Sequence, residues 1–164
     1  MSTHHLARLL GSLAIAGLLL APSARAELAA WDQAKVTGLA KELEKATDAL
    51  YQTFLQQPPP NVGSMQSQSY YRLKQLVRML HSQVGVFANS LEEGEGRDQT
   101  VWIYKTVTSL TRSARLEAGR VFVAKDVGER AAAVRGVLNQ LGPYYDPDFQ
   151  TLPPHPNIEP GATR

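Results

Sequence analysis

The chain is expected to fold as an all-α protein, an antiparallel (up-down-up-down) four-helix bundle with a proline-rich C-terminal tail. Three observations carry this expectation. Apolar residues recur at intervals of three and four through four separate segments. Glycine and proline divide those segments with links of only a few residues, which force consecutive helices to run antiparallel. Sustained strand alternation is absent, the one strand-like stretch being Val121-Phe122-Val123.

The first 26 residues read as an export signal. Arg8 follows a polar start, Leu9 to Leu20 is an unbroken apolar and small-residue run, and Ala24 and Ala26 flank Arg25 in the small-x-small pattern that signal peptidase cleaves. An apolar run of that length reaches about 18 Å as a helix, short of the roughly 30 Å hydrocarbon core, so a membrane anchor is disfavoured. No cysteine is available to carry a lipid and no twin arginine is present, which points to a Sec-type substrate with Glu27 as its mature first residue. Arg8 and Arg25 leave with the signal, so 17 basic residues become 15, equal to the 15 acidic ones. The formal charge of +2 thus disappears, and with it any electrostatic case for nucleic acid or an anionic membrane.

The first mature segment carries Val36, Leu39, Leu43, Ala46, Leu50 and Phe54, with Trp31 and Leu28 upstream. Pro58-Pro59-Pro60 and Gly63 end it. In the second segment Tyr70, Leu73, Val77, Leu80, Val84, Phe87 and Leu91 alternate three and four without a slip, the 3.5-residue period of a helix in a left-handed bundle. Gly94 and Gly96 break the pattern. The third segment is expected to start near Asp98 as N-cap and to bury Ile103, Val107, Leu110, Ala114 and Val121, with Glu117 in a slot where an apolar residue is due. Val121-Phe122-Val123 is read as its buried end. The fourth is expected to start at Asp126 with Glu129 as a capping-box pair, to bury Val127, Ala131, Val134, Leu138 and Leu141, and to stop at Gly142-Pro143.

The domain organisation that follows is a cleaved signal over 1–26, one helical domain over 27–149 and an extended or disordered proline-rich tail over 150–164. The aromatics Tyr144, Tyr145 and Phe149 are expected to pack on the end of the bundle. The chain has no cysteine, which excludes thiol catalysis, iron–sulfur clusters, covalent c-type haem and cysteine zinc sites, and leaves the apolar core to hold the fold without disulfides.

Chemical constellations are sparse. Lys74 and Arg78 lie four apart on the second helix, with His81 three further on; Arg112 and Arg115 lie three apart on the third. If the two helices are neighbours, Lys74, Arg78, Arg112 and Arg115 can converge on a small anion; otherwise they are solvated faces or pair with Glu42, Glu44 and Asp48. His81 and Glu117 are the one acid–base couple on the helices, short of the three protein ligands that a metal site needs. Met65, Met79 and His81 fall on one helix, leaving a haem iron no opposite ligand. Glu92, Glu93, Glu95 and Asp98 lack calcium-loop spacing and read as a solvated turn. No Gly-x-Ser-x-Gly or other nucleophile motif occurs. Tyr71 and Trp102, one step off their apolar stripes, are candidates for a partner surface.

The expected function is therefore that of a non-enzymatic exported helical protein, periplasmic or secreted from a bacterial host. It would bind a protein or cell-envelope partner, without cofactor, metal or nucleic acid. The alternative is a small-molecule binding module that takes an anion between the second and third helices.

Overall fold

The computed structural model describes residues 27–60 and 65–152. Those residues form four helices and no strand: α1 (Gln33–Leu55), α2 (Met65–Glu92), α3 (Arg97–Ala118) and α4 (Lys125–Tyr145). The signal over 1–26 and the tail from Pro153 lie outside the described residues.

The apolar stripes of α1, α2 and α4 become largely buried faces. Val36, Leu39, Leu43, Leu50 and Phe54 of α1 are buried, as are all seven seam residues of α2. Thr47 is buried among them because its hydroxyl donates to the Leu43 carbonyl at 2.7 Å, which removes the cost of an unpaired hydroxyl. Val127, Val134, Leu138 and Leu141 form the stripe of α4.

Helix ends show where local signals prevail. The Asp32 carboxylate accepts from the Lys35 amide at 3.0 Å and caps α1. The C-terminus of α2 closes as a Schellman turn: Glu95 N–H donates to Ser90 C=O, Gly94 N–H donates to Leu91 C=O, and Gly94 takes φ 89°, a left-handed value suited to glycine. The Gln33 side-chain amide donates to the carbonyls of Leu91 and Glu95, so the start of α1 satisfies the end of α2.

Four expected boundaries move. The cap of α3 is Gly96, whose N–H donates to the Gln99 side chain, and Asp98 lies inside the first turn. Helix α4 begins at Lys125 with no side-chain cap, and Asp126 accepts only from the adjacent Val127 amide. Helix α3 stops at Ala118, with Gly119 N–H donating to Arg115 C=O. Val121-Phe122-Val123 is thus not its buried end: the segment is non-helical, alternate side chains point to opposite sides, Val121 and Val123 are half-buried, and Phe122 is 86% exposed. Helix α4 runs through Pro143 to Tyr145. The missing amide of Pro143 removes one bond of the last turn, but Tyr144 and Tyr145 are buried and Ala29 N–H donates to Pro143 C=O, so packing outweighs the breaker.

Helix α1 packs on α2 and α4, and α2 on α3, while α3 and α4 touch sparingly. The contacts between sequence neighbours join opposite ends. The Tyr70 hydroxyl at the start of α2 donates to Gln57 C=O just past α1, and Thr100 near the start of α3 bonds Tyr145 at the end of α4. At that last end an aromatic knot ties the molecule together. Tyr145 stacks on Tyr104 at 4.4 Å, meets Trp31 edge-on at 5.6 Å and lies 5.8 Å from Phe87. Arg97 sits over the Trp31 ring and donates to Ala29 C=O at 2.6 Å.

Burial pushes the Tyr145 hydroxyl up to about 12, moderated by its bond to Thr100, and burial also raises Tyr104. Both groups are more acidic unfolded, so their contribution is complete below the ordinary tyrosine value of about 10 and is lost as pH climbs towards 12. Urea titrations should show stability flat from pH 7 to 9.5 and falling steeply between 10 and 12. In Tyr145→Phe that fall should be shallower, and the neutral-pH stability lower by about 1 kcal/mol for the lost hydrogen bond.

Candidate functional site

The sparse contact between α3 and α4 leaves a cleft. The two helices meet at the Thr100–Tyr145 end and are joined at the other by the six-residue link from Gly119 to Ala124. Between these points lies a cavity of about 670 Å³. Its floor is apolar core from the far pair of helices, with Leu50 and Phe54 of α1 and Leu73, Val77 and Leu80 of α2. Thr111–Ala118 of α3 and Val127–Arg135 of α4 supply the walls, where small residues such as Ala114, Ala131 and Ala132 hold the space open. This accounts for the partial exposure of Ala114 and Ala118 on the α3 stripe, in contrast to the buried Ile103 and Val107.

Gln150, Thr151 and Leu152 form part of the lip. Their placement starts at Gly142: Phe149 packs directly on it, where a Cβ would overlap the ring. The chain then returns along α4 until Leu152 N–H donates to the Asn139 side chain at 2.9 Å.

Four charged residues line the cleft: Arg112 and Arg115 on α3, and Glu129 and Arg135 on α4. A second, smaller cavity of about 260 Å³ lies under Tyr104 and Tyr145 and shares Arg112, Gln150 and Leu152 with the first. Lys105, Asp146 and Asp148 stand around it, all exposed. The Tyr104 hydroxyl is buried there without a hydrogen-bond partner.

The structure divides the four basic residues expected to share an anion. Arg112 and Arg115 line the α3/α4 cleft, whereas Lys74 and Arg78 are exposed on α2 and line neither cavity. Helical phase explains the division. Lys74 and Arg78 share the face of His81, which turns to α1, with Nε2 3.3 Å from Asp48 Oδ1 and the ring stacked on Tyr51 at 4.9 Å. The edge of α2 that faces α3 carries Arg72 instead.

Arg72 Nη1 donates to Glu117 Oε1 at 3.1 Å and Arg120 Nη1 to the same oxygen at 3.2 Å. Glu117, 7% exposed, thus occupies its apolar slot as a buried carboxylate, with Oε2 lacking a hydrogen-bond partner. His81 and Glu117 have different partners on different elements and do not form a couple. Among the described residues no three His, Asp or Glu side chains gather as a metal would require, and no helix is long and apolar enough to cross a membrane. Tyr71 and Trp102 are 54% and 59% exposed.

The cleft itself was not read from the sequence. Ala131 and Ala132 opposite Ala114 and Ala118 are its signal in the sequence, because short side chains on facing stripes cannot fill the space between two helices. No protein-family model, curated protein or solved structure matches the chain.

A buried ion pair is often worth no more than an apolar replacement, whereas stranding one of its charges is costly. Glu117→Leu should therefore melt at or above the parent temperature. Arg72→Ala combined with Arg120→Ala should lower stability by about 1 to 3 kcal/mol in urea titrations, because the carboxylate stays behind.

Proposed function

We propose that the protein is an exported, non-enzymatic binding protein, built as an up-down-up-down four-helix bundle whose open α3/α4 side takes an apolar small molecule. The cavity carries this reading. About 670 Å³ lies within the range of small-molecule sites, roughly 300 to 1,000 Å³, and its lining of aliphatic side chains with few polar groups is the usual composition of such sites. Export is supported by the Arg8, Leu9 to Leu20 and Ala24-x-Ala26 pattern. The non-enzymatic part is supported by the separation of His81 from Glu117.

Antiparallel packing is supported by the end-to-end pairings of Gln57 with Tyr70 and of Thr100 with Tyr145. The short links after α2 and α3 agree with it. The proline-rich tail follows Leu152 in sequence, and Leu152 lines the cleft.

A second reading is favoured by Tyr71 and Trp102. Large exposed aromatics are the residues most often found as anchors of protein interfaces, so a protein or cell-envelope partner would dock on α2 and α3. Trp102→Ala should then remove a cross-link that the parent protein forms in periplasmic extract, with its melting temperature unchanged.

The small-molecule reading is tested with N-phenyl-1-naphthylamine, a neutral dye whose emission rises in apolar surroundings. Mature protein should bind it saturably, and Ala132→Phe, which fills the cleft, should weaken binding at least tenfold while retaining a cooperative melt. Saturable binding unchanged by Ala132→Phe would place the dye elsewhere and remove the cleft from consideration.

A further inference from the structure

We infer that the α3/α4 cleft binds a single-chain anionic amphiphile, a fatty-acid carboxylate, with its chain on the Leu73-Val77-Leu80 floor and its carboxylate at Arg112. The inference rests on the cleft being a binding site and adds the chemistry of its ligand.

Charge is the first observation. The lining carries three guanidiniums, Arg112, Arg115 and Arg135, against the single carboxylate of Glu129, an excess of two positive charges around an otherwise aliphatic surface. A neutral apolar ligand has no use for that excess. A carboxylate matches it, because a guanidinium offers a planar fork of donors to two oxygens.

Position is the second. Counting antiparallel from the Thr100–Tyr145 contact, Arg112 on α3 is level with residue 133 of α4, and Arg135 lies within one turn of that level on the opposite wall. The two arginines therefore flank the same end of the cleft, the end nearer the aromatic knot, and the aliphatic floor extends from there towards the 119–124 link. One polar end and one apolar length is the shape of a single-chain amphiphile.

The third observation is independent of both. Arg112 also lines the smaller cavity, where the Tyr104 hydroxyl is buried without a hydrogen-bond partner. A buried hydroxyl is normally paired, and the unpaired one of Tyr104 lies in a cavity that Arg112 also lines, where an acceptor would satisfy it. A carboxylate at Arg112 is such an acceptor. Asp146 and Asp148 border the same cavity but are exposed, and Asp146 is engaged with the Asp148 amide at 3.0 Å. Arg115 and Arg135 engage other groups of the chain, so the argument uses their charge and place on the walls.

The experiment is displacement of N-phenyl-1-naphthylamine from the mature protein by octanoate, decanoate and dodecanoate below their micellar concentrations, with the matching alcohols alongside. Each added pair of methylenes should tighten binding roughly tenfold until the cleft is filled. Each carboxylate should displace the dye at least tenfold better than its alcohol. The combined variant Arg112→Ala, Arg135→Ala should bring that ratio near one while dye binding persists. Tyr104→Phe should lower the ratio several-fold and melt no lower than the parent, since the hydroxyl it removes is unpaired in the free protein.

Alcohols equal to carboxylates on the parent protein would leave the cleft a binding site and overturn the anionic ligand. Dye that binds neither the mature protein nor a chain ending at Leu152 would overturn both readings. Dye that binds only a chain ending at Leu152 would make the proline-rich tail the occupant and overturn the amphiphile.

Discussion

Everything distinctive about the architecture depends on the packing of Tyr145. Its ring lies against Trp31 ahead of α1, Phe87 of α2 and Tyr104 of α3, and its hydroxyl bonds Thr100. Edge-on and offset aromatic pairs are each worth about 0.5 to 1.5 kcal/mol beyond burial, so several meeting on one ring make a strong local clamp. The clamp draws the last turn of α4 through a proline and fixes the closed end of the α3/α4 pair. With α3 and α4 pinned at one end and connected by a slack link at the other, the wall of alanines between them is too shallow to zip them shut.

The consequence is an uneven molecule. Helices α1 and α2, with the first half of α3 and the second half of α4, form a continuous core in which Val36, Val84, Phe87 and Leu138 are wholly enclosed. The other halves of α3 and α4 carry the same kind of residues but leave them partly uncovered. Burial of apolar surface is the main source of stability, at about 25 cal/mol per Å², so the uncovered half is less stable than it would be if closed. This apolar surface stays uncovered in a concave site lined by Arg112, Arg115 and Arg135.

Much of the fold was legible in the sequence because helix formation and stripe burial are set by spacing alone. The seven seam residues of α2 are buried as their period requires, and Glu117 occupies the apolar slot that the pattern assigned to it. Boundaries were less legible. Gly142-Pro143 reads as an exit only while Trp31 and Tyr145, 114 positions apart, are not known to touch. The site was the least legible part. Spacing places Lys74 and Arg78 on one face and Arg112 and Arg115 on another, but the rotation of α2 about its axis decides which face meets α3, and burial of the seam from Tyr70 to Leu91 sets a rotation that turns Arg72 to Glu117. Whether two apolar stripes close on each other depends on side-chain volume summed across a gap, which no single-helix pattern records.

The packing of Phe149 on Gly142 also sets the route by which the chain leaves the fold. It turns the backbone so that Leu152 is held by Asn139 at the rim of the opening. A purification handle fused directly after Leu152 would therefore hang beside the mouth, and a basic or histidine-rich one would contribute its own charge to whatever approaches. A handle placed ahead of Glu27 would emerge beside Ala29 and Trp31, at the aromatic end, and leave the opening as the natural chain has it.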